Sequence, residues 1–250
     1  MNPLAIITGA GDGIGRATAL TLARAGFSIA AAGRTPTTLD ALVSELAASG
    51  HPARAVPLDV SDAAATHAGL ATLGPAAVLV VNAGICVQAA VDAFEADRVW
   101  QSVLGVNLHG AWHTVRAVLP AMRAGGRVIF VSSGLGKIGR AEYTAYCASK
   151  HGLLGLMRAL AHEVAPQGIT VNAVCPGWVD TRMARADLVA TARATGASVE
   201  AVRAEAEAAI PIGRFVTPEE VAGTIAFLAS PSAAAVTGQA WNICGGEVDA

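Results

Sequence analysis

Tyr146 and Lys150 stand four residues apart in a chain of 250 residues that contains only two tyrosines and two lysines. On a helix, residues i and i+4 share a face, so a phenol and an ammonium group at this spacing can reach one pocket. A phenol with its ordinary pKa of about 10 is a poor acid-base catalyst at neutral pH. An adjacent cation favours the phenolate, so Lys150 is expected to bring Tyr146 toward working range. The lysine is informative in itself, because arginine fills fifteen of the seventeen basic positions. A compact ammonium can approach a phenol and ribose hydroxyls in a way a planar guanidinium does not. Thirteen residues before Tyr146, Ser132-Ser133 closes an apolar run. A hydroxyl there can hydrogen-bond a substrate carbonyl and stabilise charge on its oxygen; the bland alternative for Ser133 is a turn-forming serine ahead of Gly134.

Such groups need a frame. Apolar runs rich in β-branched residues at 4–8, 27–32, 54–58, 77–82, 127–132, 169–175 and 239–243 predict strands. Segments 35–49, 93–123, 145–165 and 218–229 carry apolar residues at helical spacing, several starting after Ser, Thr or Asp and ending near Gly or Pro. Strand and helix alternate, which implies a doubly wound α/β fold: parallel strands need crossover connections, and those cover both faces of the sheet. No linker, repeat or low-complexity tract interrupts the pattern, so residues 1–250 are expected to form one domain. The alanine-rich stretch 183–211 breaks the rhythm and is divided at residues 195–198, where Ser198 can cap a second short helix. It is expected to be a substrate lid, with an ordinary surface hairpin as the alternative.

The first strand runs into Thr8-Gly9-Ala10-Gly11-Asp12-Gly13-Ile14-Gly15. Glycines let the backbone turn sharply and approach a pyrophosphate, which amides at the following helix N-terminus stabilise. The second strand ends at Gly33-Arg34, with no carboxylate nearer than Asp40. Arg34 can pair with a ribose 2′-phosphate by its planar fork, which favours NADP(H), with NAD(H) possible. Asp12 opposes this if it points inward. Asp59 and Val60 end the third strand and Asn82-Ala83-Gly84 the fourth, along the carboxyl edge where open α/β sheets bind ligands. Asp59 can reach an adenine amino group, or can belong with Ser61 and Asp62 to the cap of the next helix.

Thr8-Gly9-x-x-x-Gly13-x-Gly15, Asn82-Ala83-Gly84, Asn107, Ser133, Tyr146-x-x-x-Lys150 and Pro176-Gly177-x-x-Asp180-Thr181, in that order, resemble the short-chain dehydrogenase/reductase family. The resemblance covers essentially the whole chain, through Thr237-Gly238-Gln239 and Gly245-Gly246. It implies a Rossmann-type sheet of seven parallel strands and a catalytic tetrad of Asn107, Ser133, Tyr146 and Lys150. Tyr146 would exchange the proton, Ser133 polarise the oxygen, Lys150 lower the Tyr146 pKa and hold the ribose, and Asn107 support a water. It further implies coenzyme contacts from Gly9, Asp12, Gly13, Ile14, Gly15, Arg34, Asp59, Val60, Asn82, Ala83, Gly84, Tyr146, Lys150, Pro176, Gly177, Val179 and Thr181, with Thr181 at the nicotinamide carboxamide. Leu135, Tyr143 and Trp178 are the expected pocket walls; Tyr143 has Cys147 rather than lysine four residues on, so it is not the acid-base residue. Val81 departs from the asparagine the family commonly places there. Segments 149–152, 169–177 and 235–246 are similar to β-ketoacyl reductases, including aromatic polyketide ketoreductases, which implies a 3-oxoacyl-like or other apolar ketone. Hydroxybutyrate and other secondary-alcohol dehydrogenases share much of the pattern, and a non-catalytic nucleotide sensor is a remote alternative. A homotetramer is implied by the same resemblance.

Composition excludes other classes. The chain is 53% hydrophobic and 14% charged with a net charge of −2, which describes a chain with a large core and no basic stripe for nucleic acid. Its longest stretch without Asp, Glu, Lys or Arg, 63–91, is broken by Pro75, Asn82, Gln88 and three glycines, so no membrane span is expected. Residues 1–7 show no basic region or cleavage-like site, which points to the cytoplasm. Cys86, Cys147, Cys175 and Cys244 form no C-x-x-C pair and read as small buried hydrophobes. His109 and His113 stand at i, i+4 without an intervening glutamate or an evident third ligand, so no metal is expected. Arg182 and Arg185 at the lid entrance read as solvated helix charges, or as a greeting for a carboxylate, carrier thioester or phosphate.

Overall fold

The computed structural model describes residues 2–250. Strands β1 (Leu4–Thr8), β2 (Ser28–Gly33), β3 (Ala53–Pro57), β4 (Ala76–Val81), β5 (Arg127–Val131), β6 (Thr170–Pro176) and β7 (Ala240–Ile243) form one sheet in the order β3-β2-β1-β4-β5-β6-β7. Every pairing is parallel. All seven predicted strands are present, with ends displaced by at most one residue.

Successive side chains of a strand point to opposite faces, and here both faces are buried. Ile6, Leu79, Phe130 and Ala173 enter one core; Ile7, Val80, Ile129 and Val174 enter the other. That is why the strands read as continuous apolar runs rather than alternating ones. Helices α5 (Gly110–Val118) and α6 (Thr144–Val164) close the first core with Val115, Val118, Leu153, Met157 and Leu160. Helices α1 (Gly13–Arg24), α2 (Pro36–Ala48) and α9 (Pro218–Ala229) close the second with Leu22, Leu42, Val221, Ile225 and Leu228. Each such side chain, fully buried, contributes about 1.5–3 kcal/mol.

Helix α3 (Ala63–Leu70) lies outside the predicted helical segments, because its alanine-rich face buries only Thr66 and Leu70. Asp62 starts it by accepting from Ala65 N at 2.9 Å. The predicted helix 93–123 begins at α4 (Ala96–Leu104) and passes through a π-helical turn, Gly105–His109, into α5. The stretch 183–211 is two helices, α7 (Arg182–Thr195) and α8 (Val199–Ala208). Gly196 closes the first at φ 72°, where only glycine is free of strain, and Ser198 caps the second by accepting from Ala201 N. Among the described residues no helix is long and apolar enough to cross a membrane.

Candidate active site

In a parallel sheet all carboxyl ends lie on one edge, and the crevice opens where the strand order reverses, here between β1 and β4. Thr8 and Asn82 join these two strand ends. Thr8 Oγ1 accepts from Asn82 N at 3.0 Å and Ala83 N at 3.1 Å, while Asn82 Nδ2 donates to the carbonyls of Thr8 at 2.8 Å and Gly9 at 3.2 Å. Val81, in place of the family asparagine, is simply core. The turn needs its glycines. Gly9 has φ 67°, and a Cβ on Gly15 would collide with the Gly9 carbonyl and come 2.6 Å from Asn82 Nδ2. Backbone can therefore pack against backbone at the N-terminus of α1, whose first amides have no partner within the helix. This cradle at a helix N-terminus fits a dinucleotide pyrophosphate.

Asp12 caps α1 by accepting from Gly13 N at 2.8 Å, and its other oxygen meets Arg182 Nε at 2.8 Å. Both oxygens are engaged and the charge is compensated, so the expected repulsion of a phosphate at Arg34 is not built into the turn. Arg185 is likewise tied, to Asp180 at 3.3 Å. Arg34 is exposed beyond β2, with Nη1 3.8 Å from Asp59 Oδ2. Asp59 is also a turn residue, accepting from Ser61 N and Ser61 Oγ. Burial opposes its charged form, but these bonds and the Arg34 cation prevail and hold its carboxyl below the ordinary value. Val60 has its side chain in the core and its carbonyl hydrogen-bonded by His113 Nδ1 at 3.0 Å, so the contact it offers a coenzyme is through its backbone. The same bond gives His113 a structural partner.

One cavity is lined by Ile14, Asn82, Gly84, Pro176, Gly177, Val179 and Thr181, by Leu135, Tyr143 and Trp178, and by Ser133, Tyr146 and Lys150. Gly9, Gly13, Gly15 and Ala83 adjoin it as the turn; Arg34 and Asp59 lie farther along the carboxyl edge. Ser133 is a turn residue that also lines the cavity. Its Oγ caps the 3-10 turn Gly134–Gly136 by accepting from Leu135 N at 3.1 Å, and it faces the cavity. Thr181 caps α7 by accepting from Ala184 N. Trp178 is fixed by stacking on Phe215, with centroids 5.1 Å apart.

Lys150 is buried on α6. Its ammonium donates to the Val131 carbonyl at 2.9 Å and sits 5.5 Å from the Tyr146 ring centroid. Without coenzyme, burial sets the direction of the Tyr146 pKa. Burial pushes the phenol up, the Cys86 thiol adds to that, and hydrogen bonding from Ser133 opposes it without prevailing. Burial also pushes the lysine down, to about 8, because the enclosed ammonium has lost its water. Asn107 lies in the π-helical turn and is fully buried. It donates to the Ile85 carbonyl at 2.9 Å and Ser149 Oγ at 3.0 Å, and accepts from Ile85 N at 2.8 Å. Both amide protons are used, which leaves one lone pair on Oδ1 for a water. A Cβ on Gly84 would lie 3.3 Å from Asn107 Oδ1 and 3.5 Å from Lys150 Nζ, so this glycine lets the two approach one another.

The cavity also holds residues that motif reading missed: Cys86, Ile138, Arg140, Met183, Asp187 and Glu247. They lie in loops, on the lid and in the C-terminal tail, where no periodicity marks them. Cys86 is no nucleophile, since burial pushes its thiol up to about 12.

A doubly wound sheet that brings a glycine turn and a Ser-Tyr-Lys-Asn group to one carboxyl edge defines a dinucleotide-dependent oxidoreductase. Residues 3–190 match the short chain dehydrogenase family model, and the chain belongs to that family, whose members act on CH–OH and ketone groups. It is 43% identical over 251 residues to a Streptomyces virginiae protein assigned as the ketoacyl reductase of a monensin polyketide synthase, covering 97% of this chain and 96% of that one. It is 38% identical over 253 residues to a D-beta-hydroxybutyrate dehydrogenase of Cupriavidus necator, covering 98% and 97%. Among solved structures, a tryptophan variant of actinorhodin polyketide ketoreductase with NADPH superposes with a TM-score of 0.94 at 38% identity, covering 100% of this chain and 98% of that one.

Proposed function

We propose that this protein is an NADPH-preferring ketoreductase that converts an apolar or 3-oxoacyl-like ketone to a secondary alcohol. The observation that carries the reading is the convergence of Ser133, Tyr146 and Lys150 on one cavity beside the glycine turn. When bound, the coenzyme supplies a hydride to the carbonyl carbon. Ser133 hydrogen-bonds the substrate oxygen, and Tyr146 gives that oxygen its proton in reduction and removes it in oxidation. Lys150 holds the ribose hydroxyls, and Asn107 positions the loop at Ile85 and a water that returns the proton to Tyr146. Thr181, Ile14 and Val179 flank the nicotinamide, and α7 with α8 forms the substrate lid. Oxidation of reduced coenzyme against a panel of ketones and alcohols, followed by absorbance, tests the reading; coenzyme binding without turnover of any member would replace it with a sensor.

The coenzyme preference rests on Arg34 and on the likeness to a ketoreductase solved with NADPH. Arg34→Ala is expected to lower kcat/KM for NADPH about tenfold or more and to affect NADH far less, because a guanidinium fork pairs specifically with a phosphate. Equal or better specificity constants with NADH in the native protein would overturn the preference.

The proposal includes a homotetramer in the cytoplasm. Supporting it, Trp100, Trp112 and Phe227 are exposed, and Phe227 packs against Trp241 at 5.6 Å beside the edge strand β7, a surface that favours a partner. Light scattering is expected to give four copies of the chain.

A further inference from the structure

Gln88, Tyr143 and Asp187 come from three separate segments and meet at the substrate side of the cavity. Gln88 Nε2 lies 2.6 Å from Tyr143 Oη, 2.7 Å from Asp187 Oδ1 and 3.1 Å from Thr191 Oγ1. Tyr143 Oη in turn donates to Asp187 Oδ2 at 2.7 Å. An amide nitrogen has two protons, so the three acceptors share them. This clasp ties helix α7 of the lid to the cavity wall and fixes the Asp187 carboxylate in the lining.

The charges around it are only partly paired. Four charged side chains line the cavity: Arg140, Lys150, Asp187 and Glu247. Arg140 pairs with Glu247 at 3.1 Å, and its guanidinium lies over the rings of Tyr143 and Trp178 at 5.7 and 5.8 Å. Lys150 is buried on the Val131 carbonyl. Asp187 forms no salt bridge among the described residues, and both its oxygens are held by neutral donors. Its negative charge therefore has no ion-pair partner in the wall.

We infer that Asp187 is a specificity-determining residue that excludes anionic substrates, so that the cavity takes neutral ketones, including esters and thioesters of 3-oxo acids, and refuses the free acids. This rests on the ketone reading above. In a free 3-oxo acid the carboxylate is two bonds from the reacting carbonyl, so an oxygen placed at Ser133 and Tyr146 brings that carboxylate into the same cavity as Asp187. Like charges facing one cavity repel more than in bulk water, and a charge without an ion-pair partner is an effective way to reject a competitor. The field of Asp187 reaches the reacting group: after burial and the Cys86 thiol, it is among the influences that push the Tyr146 phenol up. Likeness to a hydroxybutyrate dehydrogenase thus does not extend to an anionic substrate here.

The test compares reduction of ethyl acetoacetate and acetoacetate by the full chain with NADPH. The native protein is expected to prefer the ester in kcat/KM by about tenfold or more, the scale of one poorly screened charge. Asp187→Asn is expected to reduce the ester-to-acid ratio about tenfold, whereas Thr191→Val, which loosens the clasp outside the cavity lining but keeps the carboxylate, leaves the ratio within about twofold. Added salt should narrow the native ratio and leave that of Asp187→Asn flat, a response that a purely structural role would not produce. Equal reduction of acid and ester by the native protein, or an unchanged ratio in Asp187→Asn, overturns the inference while the ketone reading stands. Reduction of neither compound overturns the ketone reading. Calorimetric titration of the protein–NADP complex with 3-hydroxybutyrate and its ethyl ester then decides the charge inference, which requires tighter ester binding that disappears in Asp187→Asn.

Discussion

Tyr146→Phe is expected to lower kcat for any competent ketone by about a thousandfold, while the coenzyme dissociation constant stays within about twofold. The size follows from losing the proposed proton donor, within the range of about a hundred- to ten-thousandfold typical of general acid catalysis. Phenylalanine keeps the ring against the small cluster around Val99, Val103 and Ala145, so folding is little affected. Single-turnover kinetics and coenzyme fluorescence titration separate the two effects; turnover retained within tenfold would remove Tyr146 from the reaction. The phenol's raised pKa also fixes a sign. Because burial keeps it protonated at neutral pH, it is a ready acid for reduction. Oxidation needs the phenolate, so the alcohol-oxidising rate should climb with pH through the neutral and moderately alkaline range while the reductive rate does not.

Lys150→Met should do two opposite things: reduce kcat/KM by about a hundredfold or more and make the coenzyme-free protein more stable at neutral pH. Burial lowers the lysine from 10.5 to about 8 in the folded chain. In the unfolded chain it returns to the ordinary value, so between these two pH values the unfolded state binds more protons and stability rises with pH. Below pH 8 the full penalty of the enclosed ammonium is present, about 3 kcal/mol for a shift of this size. Methionine removes that penalty and loses the hydrogen bond to the Val131 carbonyl and the contact with the Tyr146 ring, together about 1–2 kcal/mol. A net gain of about 1–2 kcal/mol at pH 7 remains, shrinking toward pH 10, and urea unfolding at the two pH values measures it. A variant less stable than the native chain at pH 7 would mean that the ammonium is not costly where it lies. The native residue thus gives up stability for chemistry, as functional sites commonly do.

The sheet was legible in the sequence because strands buried on both faces are written as unbroken apolar runs, and Leu4–Thr8 stands out sharply against the glycine-rich turn after it. The four residues at the centre of the site were legible for a different reason. Tyr146 and Lys150 are local on one helix, and Ser133 and the glycine turn sit where strands end. Helix α3 was less visible, because alanines carry helical propensity without an apolar stripe. The clasp was invisible: Gln88 and Asp187 are 99 residues apart, and only the folded chain brings them together. The environment of Tyr146 was hidden for a related reason, since motif spacing places a cation nearby but says nothing of how far the fold buries the phenol.

The π-helical turn at Gly105–His109 acts as a phase shift. Along an α-helix each residue advances about 100° around the axis, so an apolar stripe keeps one heading unless a residue is inserted. Before the turn, Val99 and Val103 face the small cluster with Ala145; after it, Ala111, Val115 and Val118 face the sheet. Regular winding would rotate Ala111, Val115 and Val118 by roughly 60–120° from Val103; the wide turn takes up one residue and keeps all of them on one heading, with Asn107 in the turn itself. The inserted residue is also a register mark. Deleting a single residue between 105 and 109 would restore the regular winding with both apolar stripes still aligned, but would remove the wide turn that holds Asn107 on Ile85, so the site and not the packing requires the turn.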